Sequence, residues 1–274
     1  MNFRLNAGFH ESLDSRDTAP PPLPPWLKGF LVTSKTKERM KDAGEEVAAL
    51  LNGPLCKVAF DAAGGSYTSV EPLLVPGCPG TVFVALRPDD NDVDVRAIAE
   101  GIIEASDWAG VGDGFPNVSH VSRLIPVQRI APETEVEALA KKVVAEHFPA
   151  LDSPEGTKRW ANGGLPTFAV RYEEHSPAMH LHARDVETRV ANLVPPEYEV
   201  RLDRPDRVVL VVVAGGSVMM SVVEGYGSGE KFHRFRLGNS QPNSPVKARK
   251  KHHAEEVDDD AQTTTFRRGR TAAA

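Results

Sequence analysis

Glu173, Glu174, His175, His180 and His182 form the only cluster in this sequence that looks like a metal site. Carboxylates and imidazoles are the ligands zinc takes, provided their spacing lets them converge. Here the spacing matches no ligand motif of a single helix or tight turn, and Ser176-Pro177 interrupts it after the first histidine. These residues are expected to be solvated loop side chains leading into the next helix, with a metal site as the sharper alternative.

Gly215-Gly216 stands behind an apolar strand, as a phosphate-cradling loop does. Such a loop needs a helix to open directly behind the glycines, because the anion sits on the free N–H groups of its first turn. The residues after the glycines are Ser217-Val218-Met219-Met220-Ser221-Val222-Val223, a poor helix start and a good strand. A hairpin turn is expected there. Gly112-Asp113-Gly114 is another Gly-rich loop with no helix behind it. No serine sits in a nucleophile elbow, and no cysteine has an obvious paired histidine. The sequence thus shows no catalytic machinery and implies no cofactor of its own. That argues only weakly against an enzyme, since catalytic carboxylates need no local signature.

The elements that must position these side chains centre on Val208–Val213 and Val218–Val223, two β-branched runs about a Gly-rich connection. They read as a β-hairpin. Neither run alternates with polar residues, so both strands are expected to be covered on two faces, in the middle of a sheet. Asp203, Arg204, Asp206 and Arg207 precede the hairpin and should shape its entry turn.

Upstream, Gly29–Thr33 reads as a strand. Lys35–Leu51 reads as a helix, with Met40, Ala43, Val47, Leu50 and Leu51 at three- and four-residue spacing. Strands are expected near Leu55–Asp61 and Thr81–Leu86, flanking a Gly- and Pro-rich loop. A helix over Val93–Ala105 and a strand over Ser119–Gln128 come after them. The order β-α-β-β-α-β is the split βαβ, ferredoxin-like arrangement. Next come a helix over Pro132–Phe148, a strand over Thr167–Tyr172 and a helix over Ala183–Val194. With the hairpin and Phe235 they complete a second, smaller α/β unit. The expected class is mixed α/β (α+β). A disordered Pro-rich leader covers 1–26, a ferredoxin-like domain 27–130, a second domain 131–238 and a disordered charged tail 239–274.

At 274 residues with 41% hydrophobic content the chain can bury real cores. Its apolar runs are far short of a membrane span, and its N-terminus carries no apolar signal region. Cys56 and Cys78 cannot supply a zinc cage, and a reducing intracellular compartment fits them. A net charge of −6 argues mildly against nucleic acid, but the charge is segregated, with Lys247, Arg249, Lys250 and Lys251 against Asp258, Asp259 and Asp260. The run Lys247–His253 reads as a nuclear-import signal, an RNA clamp or simply a soluble tail. Pro20–Pro25 reads as a linker or, alternatively, a proline-motif ligand.

An ordered set of short motifs carries a resemblance. It begins with Gly29-Phe30-Leu31-Val32-Thr33 and Glu38-Arg39, then Val70-Glu71, Val82-Phe83-Val84 and Leu124-Ile125-Pro126-Val127. It continues with Phe168-Ala169-Val170-Arg171-Tyr172, Val200 and Leu202 with Pro205, Ser221-Val222-Val223 with Tyr226, and Lys231-Phe232. In order and spacing the chain resembles the THUMP-domain adaptors of tRNA cytidine acetylation, over roughly Lys28 to Phe235. The resemblance implies a ferredoxin-like domain and then an RNA-binding THUMP domain at 131–238. It also implies a non-catalytic role: tRNA of the serine and leucine type is held for a separate RNA cytidine acetyltransferase, which makes N4-acetylcytidine in the D-arm. The partners would be tRNA and that enzyme, with no membrane, no cofactor and no metal. The protein would be monomeric apart from its partner, in the nucleus or nucleolus.

RNA contacts are then expected from Arg171, His180, Arg184, Arg189, Lys231, His233, Arg234 and Arg236, reading phosphate and shape rather than bases. Taken singly, each is better explained as a solvated surface charge; taken together they are expected to contact RNA. The chain departs from the family at Glu173-Glu174, where Arg-Asn is usual, at Ala183 for Arg, at Arg201 for Asp and at His233 for Asn. Carboxylates near phosphate weaken binding, so the RNA surface is expected to be shifted or weaker. The alternatives are an RNA-modifying enzyme, or a module that binds protein or a small ligand, in either case using the N-terminal domain.

Overall fold

The computed structural model describes residues 22–53, 70–86, 93–108, 118–154, 165–175 and 181–224. The described elements run β1 (Lys28–Ser34), α1 (Met40–Leu51), β2 (Val70–Leu74), β3 (Thr81–Leu86), α2 (Val95–Trp108), β4 (Val121–Val127) and β5 (Arg129–Pro132). They continue with α3 (Val136–His147), β6 (Phe168–Glu174), α4 (Ala183–Ala191), β7 (Arg207–Ala214) and β8 (Ser217–Glu224). The expected strand at 55–61, the leader up to residue 21 and the tail at 239–274 lie outside the described residues.

The first sheet has the order β2-β3-β1-β4, antiparallel throughout, which is the ferredoxin-like arrangement expected. Its edge strand β2 falls where the sequence read as loop. Pro72 sits in the middle of β2, opposite Val84. Proline cannot donate to a ladder, so it survives in a strand only where one side is unpaired. Among the described strands β2 pairs with β3 alone, and that edge position is what allows it.

The second sheet has the order β5-β8-β7-β6, with β6 and β7 parallel and the other pairs antiparallel. The hairpin β7–β8 occupies its two central positions, as the unbroken apolar runs required. Period-two alternation divides its side chains between two cores. Val209, Val211, Val213, Val218, Met220 and Val222 pack with Leu139, Val143, Val186 and Val190 of α3 and α4. Val208, Leu210, Val212, Ala214, Met219 and Val223 join the core of the N-terminal lobe. The second sheet is therefore a shared wall.

Gly215 and Gly216 both have positive φ, +56° and +73°, as a two-residue hairpin turn demands. A Cβ on Gly215 would also stand 2.9 Å from the Pro76 carbonyl oxygen and 2.9 Å from Val75 Cγ1 of the β2–β3 turn. The glycine serves both the turn and the contact between lobes. The chain passes from sheet to sheet through one residue, Gln128, which is pinned on both sides. Its N–H donates to the Met220 carbonyl (3.1 Å), and its Oε1 accepts the Val222 N–H at 2.8 Å. Packing also begins earlier than expected. Leu23 is buried, and its N–H donates to Ser217 Oγ at 2.7 Å.

Candidate nucleic-acid interface

β6 is the edge strand that carries Arg171, Glu173 and Glu174 of the residues singled out above. Asp206 fixes its start: Oδ2 accepts both the N–H and the hydroxyl of Thr167 at 2.7 Å, while the Asp206 N–H donates to Thr167 Oγ1 at 3.0 Å. These bonds hold the Asp206 carboxyl below its usual range. They also set the parallel register that begins at Phe168 and Arg207. Arg207 donates to the His147 carbonyl at 2.7 Å, placing a cation on the C-terminus of α3, and reaches Glu224 at 3.0 Å. The expected entry turn is thus a set of specific clasps. On its outer edge β6 is covered by residues 199–201, with Phe168 N–H to the Glu199 carbonyl (2.9 Å) and Arg201 N–H to the Phe168 carbonyl (2.8 Å). Further along, Glu187 of α4 accepts the Tyr172 N–H at 3.1 Å.

Alternation along β6 then decides which charges meet. Phe168 and Val170 point toward the helices, Ala169 toward the N-terminal lobe. Arg171 and Glu173 share the face of Ala169. Glu173 lies on the strand, and it is not the solvated loop carboxylate expected. Arg123 of β4 forks onto it, Nη1 to Oε2 at 2.7 Å and Nη2 to Oε1 at 2.8 Å, with both side chains about four-fifths buried. His175 Nε2 stands 3.8 Å from the same carboxylate, beyond hydrogen-bond length. Burial alone would push the Glu173 carboxyl up; His175 and the Arg123 fork outweigh it and hold it at about 2. Tyr172, on the opposite face, has its phenol pushed up to about 12, first by burial and then by Glu174 and Glu133.

Sequence reasoning passes over Arg123, although a cation inside the apolar run Val121–Val127 is its signal. A β-bulge explains its reach: Thr33 of β1 pairs with Arg123, whereas Ser34 pairs with Val121, leaving Ser122 as the extra residue. Bulges re-aim side chains, and this one turns Arg123 toward β6. The departure at Glu173 is therefore a clamp between lobes.

Of the expected RNA contacts, His180, Lys231, His233, Arg234 and Arg236 lie outside the described residues. The other three do not share a patch. Arg171, on the face toward the N-terminal lobe, donates to the Leu202 carbonyl at 2.9 Å and steadies the exposed segment Val200–Arg204. Arg184 is exposed near the start of α4, one turn ahead of Thr188, whose hydroxyl donates to the Arg184 carbonyl. Arg189, five residues on, lines a shallow groove between α3 and α4 with Val136, Glu137, Val186, Val190 and Leu193. A five-residue step turns a helix about 140°, so Arg184 and Arg189 point different ways. Among the described residues, no group of three or more His, Cys, Asp or Glu is placed to hold a metal ion. No helix of the described residues is long and apolar enough to cross a membrane.

No curated protein matches this chain by sequence. Among solved structures, PH1313 from Pyrococcus horikoshii Ot3 is 11% identical with a TM-score of 0.43, covering 73% of this chain and 56% of that one. A 4-thiouridine synthetase in complex with RNA and ATP is 12% identical, with a TM-score of 0.39 and coverage of 73% and 42%. TrmN from Thermus thermophilus is 18% identical, with a TM-score of 0.38 and coverage of 70% and 44%. The chain spans about half the length of these structures. Residues 131–223, from β5 through the end of the hairpin, match the THUMP domain, so the shared wall and its two helices are a THUMP domain.

Proposed function

We propose that this protein is a non-catalytic tRNA-binding adaptor. It holds tRNA of the serine and leucine type for a separate RNA cytidine acetyltransferase that forms N4-acetylcytidine in the D-arm. The THUMP domain, an RNA-binding module, is the observation that carries this reading. The family resemblance over Lys28 to Phe235 supplies the acetyltransferase and the tRNA class. The electrostatics support a local rather than a global attraction. The whole chain is net negative, so phosphate must be taken by particular cations such as Arg171, Arg184 and Arg189. The clamp between Arg123 and Glu173 supports RNA contact in a second way: it removes a carboxylate from solvent at a position where the family usually has a cation. In the cell we place the protein in the nucleus or nucleolus, with Lys247–His253 as the import signal.

Two measurements test the proposal. Purified protein should bind tRNA in a filter assay, and with acetyl-CoA and tRNA alone it should form no acetylcytidine. Adding the acetyltransferase should restore product. Modified nucleoside made without the partner would place the chemistry in this chain and reject the adaptor. Arg171→Ala and Arg184→Ala should each weaken binding across tRNAs and flatten the salt slope by about 1, as loss of one phosphate contact does.

A further inference from the structure

We propose that the two lobes turn as one rigid body, fixed at three points of the shared wall, with Glu224 closing the end farthest from the hairpin tip. The inference concerns how the lobes are joined, and it stands whether or not the chain binds RNA.

Two domains joined through a short connection, as these are at Gln128, move against each other by default unless their interface is large and hydrophobic. Here it is hydrophobic: Ala169, Val208, Leu210, Val212, Met219 and Val223 of the second sheet lie in the core of the N-terminal lobe. Apolar contact resists separation but has no direction, so it leaves sliding and twisting in the plane of the wall open. Directional contacts must block those.

Three such contacts stand on the wall. At the hairpin tip, Ser217 Oγ accepts the Leu23 N–H at 2.7 Å in a buried bond, and Leu23 leads into β1. Arg123 of β4 forks onto Glu173 of β6. At the opposite end Glu224, the last residue of β8, takes two arginines on one oxygen. Arg96 Nη1 of α2 stands 3.2 Å from Oε1, and Arg207 Nη2 of β7 stands 3.0 Å from it. Both arginines are themselves held. Arg96 Nη2 reaches Asp94 Oδ2 at 3.2 Å, and Asp94 Oδ1 accepts the N–H groups of Arg96 and Ala97 at the start of α2, at 3.0 and 3.3 Å. Arg207 also donates to the His147 carbonyl. One carboxylate thus joins α2 of the N-terminal lobe to β7, to β8 and to the end of α3.

Strand register gives the spacing of the three points. Ser217 and Glu224 are the two ends of β8, a strand of 8 residues, and so lie about 23 Å apart at about 3.3 Å per residue. Glu173 pairs with Val212, and Val212 with Met219, which puts Glu173 two strands to the side, about 10 Å away. Three points off one line leave no axis to pivot about. Without Glu224, the line through Ser217 and Glu173 becomes a hinge.

The test places one spin label on each lobe of the full chain, at Lys41→Cys on α1 and Lys142→Cys on α3. Both positions are exposed; Cys56→Ser is added, and the buried Cys78 stays. Double electron–electron resonance reads the distance between the labels. A control pair within the THUMP domain, Lys142→Cys with Arg184→Cys, reports the freedom of the labels alone. The distribution across the lobes should be as narrow as that of the control. A wider one, or one with two maxima, overturns the proposal whatever the variants do. Glu224→Lys sets a third cation against Arg96 and Arg207, and should broaden the distribution across the lobes while leaving the control unchanged. Glu224→Gln should broaden it less. If Glu224→Lys leaves it as narrow as before, the carboxylate closes nothing, and its assignment is overturned. Urea unfolding followed by circular dichroism and by the mobility of each label should give one coincident transition. Separate transitions for the two labels would mean two bodies and overturn the proposal.

Discussion

Removing Arg123 should unhinge the two lobes and change how the protein responds to acid. In the folded chain the Glu173 carboxyl sits at about 2, against an ordinary 4.5. A depressed carboxyl contributes stability that is complete above the unfolded value and is lost as pH falls through the folded one. At 1.36 kcal/mol per unit the shift amounts to about 3 kcal/mol at pH 7, falling to about 1 kcal/mol at pH 3. Both side chains are about four-fifths buried, so solvent screening takes little of this. Breaking a buried pair from one side costs a similar amount, about 3 to 5 kcal/mol, because the remaining charge stays desolvated. Arg123→Ala should therefore lower the midpoint of thermal unfolding by roughly 6 to 12 °C at pH 7. Urea titrations of wild type and variant should show a gap that narrows from pH 7 to pH 3. In a Glu173→Gln background the same substitution should cost much less, since the partner charge is gone. Replacing both residues together, Arg123→Met with Glu173→Leu, should be close to neutral. A variant within about 0.5 kcal/mol of wild type, or a gap that does not change with pH, would refute the reasoning.

Gly215→Ala meets a left-handed backbone and two atoms at 2.9 Å, and should cost about 2 to 3 kcal/mol in a chemical denaturation curve. Ser217→Ala strands the buried Leu23 N–H and should cost about 1 to 3 kcal/mol by the same assay. Asp206→Ala frees the start of β6; the group is exposed, so about 1 kcal/mol is expected, all of it above the ordinary aspartate pKa and fading in acid. Deleting Pro245–Ala274 from a fluorescent fusion should shift it out of the nucleus, and undiminished nuclear entry would remove Lys247–His253 from the import role.

Hydrophobic patterning made the larger part of the architecture legible. The two apolar runs about Gly215-Gly216 could only be strands buried on both faces, and they are the middle of the second sheet. The βαββαβ order likewise announced the topology of the first sheet, but its second described strand is Val70–Leu74, and the strand expected at 55–61 lies outside the described residues. What patterning could not show was pairing between segments far apart in the chain. Pro72 hid an edge strand, because whether a strand tolerates proline depends on which neighbour it lacks. Glu173 read as solvated because its partner lies 50 residues upstream, behind a bulge that only strand register reveals. The arginines proposed for RNA were legible as exposed cations, but Arg171, Arg184 and Arg189 fall on different faces. Alternation along β6 and the turn angle of α4 separate them, and neither can be applied until the strand and the helix have neighbours.

The passage through Gln128 decides where this protein can be cut. A fragment starting at residue 131, where the domain match begins, would lose Arg129 and Ile130, half of β5, together with the amide that holds Val222. It would also bare Ala169, Val208, Leu210, Val212, Met219 and Val223, a contiguous greasy plane of the kind that drives aggregation. The excised piece should precipitate on expression unless those positions are made polar. Gene rearrangements that move this domain are thus constrained to carry its N-terminal cover along.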